Sequence, residues 1–125
     1  MTETGMTTGS ATLHRWADIP PEAINASIGR QYLTADRVTI ARFELKRGGV
    51  VPRHAHVNEQ VSCVLSGALT FRFDDRELIA RAGDVVQIPG GIPHEVTVVE
   101  DAVVLDVFSP VRQDWIDRTD TYFVR

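Results

Sequence analysis

From Val38 onward, apolar and polar residues alternate in short runs that turn-forming residues interrupt. Val38 to Leu45 puts Thr39, Ala41, Phe43 and Leu45 on one side, which predicts a strand with one face in a core; Arg47-Gly48-Gly49 breaks it. Gln60 to Leu65 predicts the next strand, ended by Ser66-Gly67. Ala68 to Phe73 sets Leu69, Phe71 and Phe73 against Thr70 and Arg72, the pattern of a half-buried strand. Asp74-Asp75 predicts a hairpin turn into Glu77 to Arg81, and Ala82-Gly83-Asp84 a turn into Val85 to Ile88. Pro89-Gly90-Gly91-Ile92-Pro93 reads as a rigid loop. Val96 to Val99 and Val103 to Phe108 predict two further strands, separated by Glu100-Asp101. Many short strands at this spacing predict an all-β barrel or sandwich.

The ends of the chain read differently. Residues 1–12 are rich in Thr and Gly with little to bury, so a flexible N-terminal arm is expected ahead of a single domain over residues 13–125. A short turn of helix is expected near Pro20, with Asp18 or Ile19 just outside it. Asp114 to Arg125 fits a short helix at Trp115 to Arg118 followed by a strand at Thr121 to Val124.

One strand has no charged face. Gln60, Ser62 and Val64 lie on one side, and Val61, Cys63 and Leu65 on the other. Both faces are therefore expected to be covered. The Gln60 face would line the barrel. The apolar outer face needs the C-terminal tail, a second sheet or another subunit, and a homodimer is the expected answer.

Composition narrows the class. With 125 residues, 43% of them hydrophobic and 24% charged, the chain suits one globular domain with its own core. Its one cysteine, Cys63, cannot form an intrachain disulfide and reads as a small buried hydrophobe. No apolar run has the length of a membrane span, and MTETGMTTGSAT has neither the basic start nor the apolar stretch of a secretory signal, so a cytoplasmic location is expected. A net charge of −4 without a Lys/Arg block argues against a nucleic-acid partner.

The histidines bring in chemistry. His54 and His56 are two apart, which in a strand puts both on one face about 6.5 to 7 Å apart. Two imidazoles at that spacing can converge on one ion at roughly 2.1 Å each. Gln60 follows four residues later and His94 comes after the stiff loop; His14 lies outside the set and reads as a surface or packing residue. A lone His-x-His would more often be a pair of surface residues.

The wider spacing resembles the cupin superfamily and its two motifs. Gly48 is followed by five residues, then His54, Ala55, His56, three residues, Gln60, six residues and Gly67; Gly83, Pro89, Gly91 and His94 fall on the second motif. The resemblance implies an all-β cupin fold (a jelly-roll or double-stranded β-helix barrel) holding a divalent transition metal on His54, His56, Gln60 and His94. Zn, Ni, Fe, Mn and Cu all suit such a donor set. Two positions depart from the family. Gln60 stands where a glutamate is usual, which leaves the ion its full charge as a Lewis acid. Neighbouring Glu59 would point to the other face unless the register shifts. Val98 stands where the second motif ends in Asn.

A second group follows. Val104, Asp106 and Phe108 share one face of a core strand, and a carboxylate there needs a partner or a task; a turn through Ser109-Pro110-Val111 could bring Arg112 back to the same mouth. This segment, with His54-Ala55-His56-Val57-Asn58-Glu59-Gln60, resembles the KdgF-type cupins of pectin and alginate breakdown. The resemblance spans Val38 to Trp115 and implies conversion of 4,5-unsaturated monouronates to linear keto forms. It implies Asp106 as proton shuttle, Arg112 on the uronate carboxylate and Phe108 as an apolar wall. The plainer reading makes Asp106 and Arg112 a structural ion pair and Phe108 core; Arg42 and Arg72 could line the mouth or lie on an exposed face. Two other functions fit the same residues: an iron-dependent dioxygenase, and a non-enzymatic module that binds a small acid.

Overall fold

The computed structural model describes residues 9–122. Its strands are β1 (Glu22–Ala23), β2 (Ile28–Thr34), β3 (Thr39–Leu45), β4 (Val50–His54), β5 (Glu59–Arg72), β6 (Glu77–Arg81), β7 (Val85–Ile88) and β8 (His94–Ser109), followed by one short helix, α1 (Gln113–Ile116). Every pairing among them is antiparallel, which gives the all-β barrel that alternation predicts, in the jelly-roll form that the resemblance implies.

Two long strands organise the barrel. The last part of β8 lies between β3 and the first part of β5, while its first part lies between β4 and the last part of β5. β1 and β2 extend the first layer beyond β3, β7 flanks it on β5, and β6 completes the second layer. β5 and β8 therefore pass through both layers. The predicted breaks at Ser66-Gly67 and Glu100-Asp101 are where they bend together, so four predicted strands are two. The register slips between Val64 and Leu69. Gly67 has φ +81° and runs so close to the Asp101 carbonyl that a Cβ would collide with it. A bulged bend and a hairpin turn draw on the same residue types, hence the misreading.

β2 escaped the hydrophobic pattern because one of its inward positions is Arg30, only 3% exposed, whose charge is met by Glu22 and Asp120. The helix expected at Pro20 is a 3-10 turn at Trp16–Asp18 instead. A residue that precedes proline is driven to extended geometry, so Ile19 and Pro20 leave the turn and lead into β1. α1 begins two residues before the expected helix, at Gln113.

The core is the inward face of both layers, including Phe43, Leu69, Phe71, Ile88, Val104 and Phe108, with Trp115 of α1 packed edge-on against Phe43 and Phe108. The described part of the C-terminal segment, up to Tyr122, thus turns to the barrel mouth and does not cover the outer face. There Val61, Cys63, Leu105 and Val107 are half-buried, while Leu65 is 52% and Val85 62% exposed. Cys63 is consequently an outward residue, not a core one. Residues 9–12 of the expected arm are exposed and outside any element. Residues 1–8, and Phe123 and Val124 of the expected last strand, lie outside the described residues; Thr121 and Tyr122 are not in a strand.

Candidate metal centre

Loops with little side-chain bulk gather the centre. His54 ends β4 and pairs in register with His94, the first residue of β8. His56 lies beyond the strand end, so the two histidines converge through a turn of the chain and not along one strand face. The Pro89–Pro93 loop lies against this turn. Gly90 abuts the Val57 carbonyl with no room for a Cβ, and the Gly91 N–H donates to the His56 carbonyl at 2.8 Å. From the other side, buried Asn58 donates to the carbonyls of Pro110 (2.6 Å) and Val111 (3.1 Å), tying the turn to the chain after β8. Gln60 enters from β5 with its side chain inward.

The three histidines form a cluster able to hold a metal ion, one ring nitrogen from each lying within 4.8 Å of the others. Their protonation follows from their partners. Each Nδ1 faces a backbone carbonyl: His54 that of Pro52 (2.8 Å), His56 that of Asn58 (3.0 Å), His94 that of Ile92 (2.9 Å). A carbonyl can only accept, so each Nδ1 carries the proton and each neutral ring keeps a bare Nε2. The rings are neutral because burial pushes His54 down to about 3 and His56 down to about 4, and lowers His94 as well. The carbonyl hydrogen bonds oppose this, and the positive charge of Arg112 reinforces it.

The result is an acceptor-only cluster. His56 Nε2 and Gln60 Oε1 face each other at 3.0 Å with no proton to share, and His94 Nε2 is buried without a partner. Lone pairs converging at this range are the electrostatic complement of a cation, and three imidazoles with an amide oxygen suit a divalent transition ion. Glu59 stands apart: it points outward and accepts from Gln87 Nε2 at 2.9 Å.

Asp106, Phe108 and Arg112 line the same cavity, as do Ser62, Trp115 and Tyr122. Asp106 is 8% exposed and its Oδ1 has no hydrogen-bond partner. Burial pushes its carboxyl up to about 6, partly offset by a hydrogen bond from Ser62, its register partner on β5, and by the charge of Arg112. The Asp106–Arg112 ion pair of the plainer reading does not form: Arg112 pairs with Asp114 instead. Arg112 donates from Nε (2.9 Å) and Nη2 (2.7 Å) to the two carboxylate oxygens of Asp114, and its guanidinium lies over the rings of Phe108 and Trp115. Phe108 is thus both core and cavity wall. Arg42 pairs with Glu44, and Arg72 with Glu77 and Glu95; neither lines the cavity.

Sequence reasoning missed Asn58, Ser62 and Tyr122. Ser62 shares the barrel-lining face with Gln60, and that alternation is its one signal. Nothing in the sequence marks Tyr122, whose ring stacks on His54 at 4.0 Å and lines the cavity, which has a volume of about 50 Å³.

Residues 41–108 match the family model described as Cupin domain. Among solved structures, KdgF from Halomonas sp. is similar at 24% identity over 79% of this chain and 94% of that one, with a TM-score of 0.73. An RmlC-like cupin from Shewanella frigidimarina is similar at 25% identity over 85% and 96%, with a TM-score of 0.77. A predicted oxalate decarboxylase from Thermotoga maritima is similar at 22% identity over 79% and 99%, with a TM-score of 0.69. None of the curated proteins compared matches the chain.

Proposed function

The chain belongs to the cupin family, and from that premise we propose that it is a metal-dependent enzyme that opens a small unsaturated sugar acid, converting a 4,5-unsaturated monouronate to its linear keto form. The observation that carries this reading is Asp106: a buried carboxyl, pushed up to about 6, with one oxygen unpartnered, lining the cavity that His54, Gln60 and His94 also line. A group that gives and takes protons near neutral pH beside a cation site suits acid-base chemistry on an oxygen-rich substrate. Similarity of fold to the Halomonas KdgF points the same way.

A divalent ion held by His54, His56, Gln60 and His94 would supply Lewis-acid polarisation of a substrate oxygen or of water. The protein does the rest. Asp106 delivers a proton to C4 of the enol ether, and water adds at C5, returning a proton to the carboxylate. The resulting hemiketal opens by breaking the bond from C5 to the ring oxygen, which leaves a ketone at C5. The aldehyde end sheds one water, so the overall change is an isomerisation. Phe108 walls the cavity and limits solvent.

Entry of substrate needs a rearrangement. A cavity of about 50 Å³ accommodates water and not a sugar ring, since small-molecule sites run to roughly 300 Å³ or more. Tyr122 is the obstacle. Its hydroxyl accepts from Arg112 Nη2 (3.1 Å) and from Trp115 Nε1 (3.4 Å), so its departure releases two donors for a carboxylate oxygen. Arg112 would then bind substrate through one end, because Asp114 holds the other. The apolar outward face of β5, β7 and β8, which no described element covers, supports a homodimer, which sedimentation would test.

Incubation with an unsaturated monouronate, followed by loss of the enol absorbance with and without chelator, tests the reading. Turnover that chelator abolishes, and that Asp106→Asn loses while keeping its metal, is the expected result. Saturable binding with no product would mean a binding module; consumption of oxygen in step with iron loading would mean an oxygenase.

A further inference from the structure

Gln60 has two ends that differ in kind, and only one can serve a cation. Its Oε1 faces His56 Nε2 at 3.0 Å, and its Nε2 donates to Ser62 Oγ at 2.9 Å. Ser62 is fully buried and lines the cavity. Its own proton goes to Asp106, directly across the strand pair. With that proton engaged, the hydroxyl meets Gln60 with a lone pair. It therefore accepts from the amide nitrogen and would leave an amide oxygen without a donor if the group were turned around.

We propose that Ser62 is a positioning residue for the metal centre, fixing the Gln60 amide with its oxygen toward His54, His56 and His94 and joining that ligand to Asp106 through one hydroxyl. This rests on the metal reading above and deepens it. It also explains why glutamine suits position 60 in this chain. A glutamate there would offer Ser62 no proton. Ser62 would then face two carboxylate acceptors, the substituted side chain and Asp106, with one proton to give. Glutamine lets the hydroxyl accept on one side and donate on the other, so donors run in series from Gln60 through Ser62 to Asp106 and the amide oxygen is left for the ion.

The test is a double-mutant cycle read as zinc affinity by competition with a chelating dye, using the full-length protein and zinc alone. Orientation matters for an amide and not for a carboxylate, whose two oxygens are equivalent as ligands. Ser62→Ala is therefore expected to weaken zinc binding by about tenfold or more, the size of a lost orienting contact. Ser62→Thr, which keeps the hydroxyl and directs its methyl to the cavity, is expected to restore most of the loss. In a Gln60→Glu background, Ser62→Ala is expected to change zinc affinity little. Equal losses in both backgrounds, or no loss with Gln60 in place, would overturn the proposal. His54→Ala in parallel separates the two readings: if the parent binds no zinc, or binds it as well without His54, the metal centre itself fails and the role of Ser62 fails with it. Thermal unfolding of each metal-free variant identifies any loss that comes from a damaged fold.

Discussion

Tyr122 lies over His54 with the ring centroids 4.0 Å apart and the planes only 5° from parallel. The contact places a residue from the far end of the chain against the histidine cluster, in the lining of the same cavity. Its hydroxyl is held by Arg112 and Trp115, so the ring is fixed at both ends. A stacked ring over a ligand obstructs the route by which an ion or substrate reaches it.

Tyr122→Ala should therefore speed exchange without dismantling the centre. A stacked pair contributes about 0.5 to 1.5 kcal/mol, so release of bound zinc to excess chelator is expected to accelerate roughly three- to tenfold. Uptake should accelerate alongside it, leaving equilibrium affinity little changed. Stopped-flow release is the measurement. An unchanged rate would mean that ions leave by another route.

Metal binding should survive well into acid. A histidine binds metal only when neutral, and an ordinary one is lost as pH falls through about 6.5. Burial holds His54 down at about 3 and His56 at about 4, so protons compete with the metal only in that lower window. The sign for the metal-free fold is the opposite of a salt-bridged histidine. The unfolded chain takes up protons first, so stability is complete above about 6.5 and declines as pH falls below it. Zinc titrations between pH 4 and 8 should place half-release clearly below 6. Half-release at 6.5 or above would mean that these rings sit in ordinary solvent.

The sequence exposed the candidate ligands and hid what orders them. His54, His56, Gln60 and His94 were legible because loop geometry fixes their spacing and the glycines of those loops are forced: Gly90 has no room for a Cβ beside the Val57 carbonyl, and Gly91 has φ +81°. Alternation likewise turned Glu59 outward. The bends of β5 and β8 were not legible, because Ser66-Gly67 and Glu100-Asp101 have turn composition whether they reverse the chain or only kink it. The partner of Arg112 was left open for a related reason. Asp106 and Asp114 are both near it in sequence, and only packing over Phe108 and Trp115 decides which carboxylate the guanidinium meets. Tyr122 was out of reach altogether, since nothing local says where a segment after the last strand returns.

Asp106→Asn should separate stability from function. The carboxyl is pushed from 3.8 up to about 6 by burial, so the folded state holds its proton more tightly than the unfolded chain does. The native state is therefore at its relative best below about 4 and loses stability as pH rises through 6, after which a buried charge remains. An amide of the same shape avoids that cost. The metal-free variant is expected to be more stable than the parent by roughly 2 kcal/mol at pH 7.5, with the gain vanishing near pH 4. Urea unfolding at the two pH values measures it. Loss of turnover together with this gain is the pattern of a group kept for chemistry at the expense of stability; a variant less stable at pH 7.5 would show Asp106 to be a structural residue.

Arg112 and Asp114 should behave as a coupled pair. Burial pulls the guanidinium down, but its bonds to Asp114 and Tyr122 prevail and leave it raised; burial pushes Asp114 up, but Arg112 prevails and holds it below its ordinary value. Arg112 is 1% exposed, so removing Asp114 strands a buried charge, whereas removing Arg112 leaves a carboxylate with partial access to water, at 32% exposure. That solvent access moderates the pair, and Asp114→Ala is expected to cost about 1 to 3 kcal/mol. Arg112→Ala forfeits packing between Phe108 and Trp115 as well and should cost more. In the double variant the two losses should fall short of additive by about 1 kcal/mol or more, since the second change no longer breaks the pair. Strict additivity in urea unfolding would mean that the bonds to Asp114 contribute nothing, and that the Arg112 fork is free to take a substrate carboxylate through both ends.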